Sequence, residues 1–207
     1  MTRLGYVRPV GLRLSSGSWS HPRVLRSLLS ILGQSPLCAI STVSRQGRAH
    51  IHICYFAFSA DLELFFISDP GSRHAMNLKT HRSAAVAVFP PAQRWGGPDR
   101  GVQLFGTCAA VGSGDVGRAE AVYRARFPNY SRHRWARTLP FYRFRPRRLT
   151  LLDEREFGDA VLVEVQLAVT SRRPRPPRRG GRRGTAGASS SSVDRAQSRR
   201  ARRLSRR

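Results

Sequence analysis

The segment with the most chemical content is Ile67-Ser68-Asp69-Pro70-Gly71-Ser72-Arg73-His74-Ala75-Met76-Asn77-Leu78. A hydrophobic run ends in an Asp-Pro-Gly turn signal, and a helical pattern begins with Ser72 in the N-cap position. The free backbone N–H groups and the positive end of the helix dipole at such a start suit a phosphate. Ser72 could donate its hydroxyl proton, and Arg73 could form bidentate, charge-assisted bonds. The same residues also describe an ordinary capped helix with a solvated arginine. His50 and His52 share one face of a strand and could bind a metal, but no carboxylate or third histidine stands at motif spacing. A polar face or a ligand-lining role is the simpler reading. Arg137, Arg143, Arg145, Arg147 and Arg148 could contact nucleic acid; their spacing in a strand more simply gives a solvated face or a rim that attracts an anion. Cys38, Cys54 and Cys108 lie in apolar runs without CxxC or zinc-ribbon spacing, so they read as small buried hydrophobes in a reducing cytosol. No Ser-His-Asp order, P-loop or HExxH pattern is present.

The elements that must position these residues are mostly strands. Val24–Leu32 has helix-like apolar spacing, with Gly33 as a candidate C-cap. Strand-like runs follow at Leu37–Val43, Arg48–Phe58, Leu62–Ser68, Ser83–Phe89 and Val102–Val111, with Gly47 supporting the first turn. Phe141–Leu152 predicts one or two further strands, and Ala160–Leu167 the last. Between them lie two helices, Arg73–Thr80 and Val116–Arg126, the second with Asp115 as a capping candidate and Pro128 beyond its end. The fold class is therefore mainly β with helices (α+β), a barrel or sandwich of six or seven short strands. No parallel βα alternation and no GxGxxG are present, which argues against a dinucleotide-binding α/β domain.

The formal net charge of +25 points at first to nucleic acid. Its distribution weakens that reading. Residues 170–207 hold 14 arginines and one aspartate, and they contain one leucine, one valine and no aromatic residue. Such a segment cannot bury enough apolar surface to offset chain entropy, so it reads as a disordered tail. It could attract phosphates without specificity, but it lacks aromatic residues on which bases stack. Residues 1–21 show no sustained period and read as a poorly ordered extension, leaving 22–169 as the single domain. The run Val24–Ile40 is too polar to span a membrane and lacks a signal-peptide layout.

Four blocks in succession resemble the pyridoxamine 5′-phosphate oxidase superfamily. Gly71-Ser72-Arg73-His74-Ala75 after a hydrophobic strand is similar to the segment in which Ser/Thr-Arg-Lys-Ala opens the helix that holds the FMN phosphate. Arg100-Gly101-Val102-Gln103-Leu104-Phe105-Gly106 resembles the strand after the long loop. Ala121–Pro128 is similar to the helix that follows, and Pro140–Gly158 to the closing strands. The resemblance implies an antiparallel split β-barrel and a flavin, FMN first, with deazaflavin, FAD or haem as alternatives. It implies a homodimer with the flavin at the subunit interface and a small-molecule redox substrate, and the cysteine usage fits a cytoplasmic location. The non-catalytic alternative is a module that only binds such a ligand. The resemblance maps Ile51, His52 and Ile53 along the flavin ring, Ser68 near the phosphate or ribityl chain, Ser72, Arg73 and His74 at the phosphate, and Gln103 at the ring's polar edge. His74 stands where the family has lysine. Nothing after Leu167 resembles the substrate contacts of the vitamin-pathway enzyme, so pyridoxamine phosphate is not the implied substrate.

Overall fold

Val24, Leu28, Ile31 and Leu32 fall on one stripe of a helical projection, and burying that stripe defines α1 (His21–Gln34). The computed structural model describes the backbone of Leu4–Gly11 and residues 21–167. The helix runs one residue past Gly33, so Gly33 is not its C-cap. Arg126 does that work instead: its guanidinium donates to the carbonyls of Leu32, Gly33 and Ser35 at 2.7, 3.4 and 2.6 Å.

Strands β1 (Leu4–Gly11), β2 (Leu37–Val43), β3 (Ala49–Tyr55), β4 (Ala57–Phe58), β5 (Leu64–Ile67), β6 (Ser83–Val88), β7 (Arg100–Ala110), β8 (Phe141–Asp153) and β9 (Val161–Leu167) form one antiparallel sheet. Its main path is β1-β9-β8-β7-β6-β2-β3, with β5 joining β8 to the short β4. The sheet curls into a split barrel; of the helices, α1 packs on β7, α2 (Arg73–Thr80) on β2, β3 and β7, α3 (Val116–Arg126) on β4, β5 and β8, and α5 (Glu154–Phe157) on β8, while α4 (Arg134–Thr138) follows α3 in the chain. Part of the N-terminal segment, Leu4–Gly11, is a strand paired with β9. The C-terminal segment lies outside the described residues.

Two strand expectations are refined. The run Arg48–Phe58 is broken after Tyr55, where Phe56 turns fully inward and donates its N–H to the Pro36 carbonyl. The run from Leu62 starts two residues later. Leu62 adopts a left-handed φ of 60° in a turn closed by the Ser59 hydroxyl, which accepts from the Asp61 and Glu63 N–H groups. Phe141–Asp153 is a single long strand. It carries a bulge opposite Gly106, where a Cβ would overlap the Arg145 carbonyl oxygen.

The main core joins α1 to the inward faces of the strands through residues such as Leu28, Phe56, Phe66, Leu104 and Leu149. A second cluster, including Phe65, Tyr123 and Phe141, seats α3 against β5 and β8. One buried ion pair ties three elements together. Asp153 is fully buried and accepts two bonds of 3.0 Å from Arg100, plus a 2.5 Å bond from the Ser27 hydroxyl. No described helix is long and apolar enough to cross a membrane.

Candidate functional site

Strand β3 is an edge of the sheet, and its alternation sorts the candidate residues onto two faces. Ile51, Ile53 and Tyr55 point outward and are more than half exposed. His52 points the other way, toward α2. The three residues Ile51–Ile53 therefore do not line one surface together: the period of two divides His52 from its neighbours.

On the outward face the pairing register builds two rows across the sheet. One row runs Ile51, Ser41, Ala85, Phe105, Arg148; the next runs Ile53, Ala39, Ala87, Gln103, Thr150. Small residues occupy the middle of both rows, and larger ones stand at the sides. The result is a hollow of about 220 Å³ lined by Ala39, Ser41, Ile51, Ala85, Val86, Ala87, Gln103 and Phe105. Gln103 contributes its amide and Ser41 its hydroxyl; the rest is apolar. Arg148 lies over the Phe105 ring at 4.2 Å from its centroid and pairs with Glu164 at 2.9 Å, forming the far rim. Ile51 and Gln103, both expected at a ring site, meet here. The residues missed from sequence are Ala39, Ser41, Ala85, Ala87 and Phe105. Their only local signal was alternation with buried neighbours, and their grouping depends on which strands pair.

On the inward side, α2 packs across β2 and β3. Asn77 donates to the buried Thr42 hydroxyl at 3.1 Å, fixing the helix on β2. His74 is 3% exposed, and its ring stacks on His52 with centroids 3.9 Å apart and planes 13° apart. Its Nε2 lies 2.6 Å from the Ser68 hydroxyl and 3.0 Å from that of Ser72. Burial first, then the neighbouring His52 and His50 rings, bring the His74 pKa down to about 4. Burial and His50 also lower that of His52. His74 is thus neutral near pH 7 and turned inward, and it supplies no charge to an anion.

Ser72 stands at the N-cap of α2, but its side chain does not cap. Its hydroxyl donates to the Asp69 carbonyl at 2.7 Å, while the Asp69 carboxylate accepts from the Gly71 N–H at 2.6 Å. Arg73, the first helical residue, is exposed and makes no ion pair among the described residues. The structure therefore gathers Ser68, Ser72, His74 and His52 into one cluster, with Arg73 on the surface beside it. Ile51, Ile53 and Gln103 lie on the opposite face of the sheet.

Other candidates settle into structural roles. Cys38 and Cys54 face each other across β2 and β3 with sulfurs 3.8 Å apart, and all three cysteines are buried free thiols. Burial raises the Cys108 thiol to about 12, and the Cys54 contact and burial raise that of Cys38. Arg143 and Arg145 pair with Glu63, and Arg143 also with Asp115, whose carboxylate is thereby drawn away from capping α3. Among the described residues no group of three or more His, Cys, Asp or Glu side chains could hold a metal ion.

The family model described as pyridoxamine 5′-phosphate oxidase matches residues 25–153. A search of curated proteins gives no significant match. Among solved structures, a protein of unknown function from Agrobacterium tumefaciens aligns with a TM-score of 0.54 at 20% identity, over 67% of this chain and 60% of its own. A heme-binding protein from Mycobacterium smegmatis gives 0.57 at 13%, over 73% and 59%. An FAD-binding protein from Mesorhizobium loti gives 0.50 at 14%, over 79% and 99%. The chain thus spans about three fifths of the first two. At these identities the likeness concerns the fold alone.

Proposed function

The chain belongs to the pyridoxamine 5′-phosphate oxidase family, and from that premise we propose that it binds a flavin, FMN in the first place, on the outer face of β3, β2, β6 and β7. We propose further that the bound flavin serves the oxidation or reduction of a small organic molecule. One observation carries this reading: the register places Ala39, Ser41, Ala85 and Ala87 side by side as a flat floor between Ile51, Gln103 and Phe105. A planar ring fits a floor without protruding side chains, and one amide and one hydroxyl suffice to orient it.

The residues present fit the ring well and the phosphate in part. The ligand would pass around the edge strand β3, so that Arg73 and the first N–H groups of α2, on the other side of the sheet from the hollow, hold the phosphate. The Asp69 carboxylate in the same turn opposes an anion, and His74 adds no charge where the family carries lysine. Arg73 is therefore the principal cation for that end. When bound, the flavin supplies hydride or electron transfer; the chain supplies position and electrostatics. Phe105 and Ile51 exclude water from the sides of the hollow, and Gln103 offers its amide to the ring's polar edge.

Haem is the other planar ligand to weigh, since a fold neighbour binds it. None of the residues lining the hollow can ligate iron through nitrogen or sulfur, and His50 and His52 point away from it. Flavin is therefore preferred. The exposed outward residues Leu37, Ile53 and Tyr55 of β2 and β3 make an apolar strip beside the hollow. We take a second copy of the chain to cover it, giving a homodimer with the flavin at the interface.

The test is titration of the purified protein with FMN, followed by visible absorption, with turnover of reduced nicotinamide cofactor measured on the complex. Saturable binding is expected, and Ala85→Leu, which fills the hollow from an outward position, should weaken it about tenfold or more. A folded protein indifferent to FMN would overturn the reading. A Soret band on adding haem, with no flavin binding, would replace it. Bound flavin never reduced by any donor would leave a binding module rather than an enzyme.

A further inference from the structure

A second cavity, of about 300 Å³, lies between α2 and the adjoining ends of β7 and β8. Its lining is Ala75, Leu78, Lys79, Arg82, Ala109, Ala110 and Tyr142, and it shares no residue with the hollow on the outer face. Ala75, Leu78 and Lys79 come from one stripe of α2, at i, i+3 and i+4. Ala109 and Ala110 close the end of β7, where Ala110 pairs with Tyr142. The small residues on both walls leave the space open; a larger one at Ala110, on the same face as Tyr142, would fill it.

The chemistry of this lining is one-sided. Lys79, the single lysine in the sequence, and Arg82 both reach the cavity, and neither makes an ion pair among the described residues. Among the described residues the Lys79 ammonium donates to the Met76 sulfur at 3.4 Å. Tyr142 is buried, and burial, then Cys108 and Asp69, push its phenol pKa up, so it stays a neutral hydroxyl. Its ring, already stacked on Phe66, and the Ala and Leu side chains offer an apolar wall. Lys79 and Arg82 are exposed, and the carbonyl end of α2 beside this cavity disfavours an anion, so their charge-assisted bonds must outweigh that dipole.

We propose that this cavity is a binding site for a small organic anion: a carboxylate or phosphate head held by Lys79 and Arg82, with a short apolar body against Tyr142 and Leu78. The volume equals that of about ten waters, so the ligand is of about ten non-hydrogen atoms. The site is independent of the flavin reading, because it uses none of the same residues.

The experiment is isothermal titration calorimetry of the full chain with benzoate, phenyl phosphate and neutral benzyl alcohol at fixed salt. Arginines outside the described residues also attract anions, so the informative quantity is the difference between wild type and variants. Benzoate or phenyl phosphate should bind and benzyl alcohol should not; which of the two binds more tightly identifies the head group. Arg82→Ala should weaken binding about tenfold or more, Arg82→Lys should restore part of it, and Ala110→Phe, on the face of its pair Tyr142, should abolish it. Arg82→Ala keeps the Arg82 carbonyl that accepts the Cys108 N–H, so the fold is retained. Prior saturation with FMN should leave the titration unchanged. Equal binding of benzyl alcohol, no effect of Arg82→Ala, or displacement by FMN would each overturn the proposal.

Discussion

Lowering the pH should destabilise this protein through His74 before its carboxylates titrate. The ring is 3% exposed, stacked on His52, and its pKa lies at about 4 against an ordinary value of 6.5. A depressed histidine pKa means that the unfolded chain takes up the proton first. Stability is therefore complete above about pH 6.5 and falls as pH drops toward 4. At pH 5 an unfolded histidine is almost wholly protonated and the folded one almost wholly neutral. Linkage then gives a loss of about 2 kcal/mol between pH 7.5 and pH 5, and on the order of 3 kcal/mol once pH 4 is passed. His52, whose pKa is also lowered, adds in the same direction. The assay is urea unfolding of the full chain, followed by far-ultraviolet circular dichroism at pH 7.5, 6 and 5. His74→Gln keeps a polar group near Ser68 but cannot titrate, so it should flatten most of the slope whatever its own stability. A wild type equally stable at pH 7.5 and 5, or a His74→Gln protein with the wild-type slope, would refute the reasoning.

Asp153→Ala should destabilise the fold by about 3–5 kcal/mol in the same unfolding assay, because it leaves the Arg100 guanidinium buried without its bidentate partner. Gly106→Ala should lower the melting temperature markedly, since its Cβ meets the Arg145 backbone rather than a movable side chain. All three thiols should resist a disulfide-exchange reagent in the native protein and react in denaturant; a rapidly reacting native thiol would contradict their burial. Arg73→Ala should weaken FMN binding about tenfold, while riboflavin, which lacks the phosphate, should bind wild type and variant alike.

Much of the fold was legible because local signals agree. The α1 stripe, the alternation in Leu37–Val43 and Ser83–Phe89, and the Asp-Pro-Gly turn before α2 each reflect burial of one face of a short element. The failures occur where a long-range contact overrides a local preference. Gly33 looks like a helix terminator, yet Arg126, far along the chain, satisfies those carbonyls and the helix continues. Asp115 looks like an N-cap, yet its carboxylate is drawn to Arg143. Arg48–Phe58 reads as one strand, but the pull of the core on Phe56 breaks it. No local pattern encodes which distant partner arrives.

The candidate site divides along the same line, and β3 shows why. A motif in one stretch of chain, Gly71-Ser72-Arg73-His74, is visible because its members are adjacent in sequence. The hollow is not, because its floor comes from β2 and β6 and its walls from β3 and β7, one or two small residues from each. Composition does not mark an alanine as a floor; only the register that aligns Ala39 with Ala87 does so. The substitution of lysine by histidine then gains a meaning that spacing alone could not supply. A lysine at position 74 could not keep an unpaired ammonium between Ser68 and the ring of His52, and would have to reach outward to solvent or ligand. A histidine can turn inward, stay neutral and stack on His52. The inward His74 thus links α2 to β3 and leaves Arg73 as the principal charge at the proposed phosphate end. Ligand affinity at this site should accordingly depend more on the planar ring, and less on the phosphate, than the family motif implies.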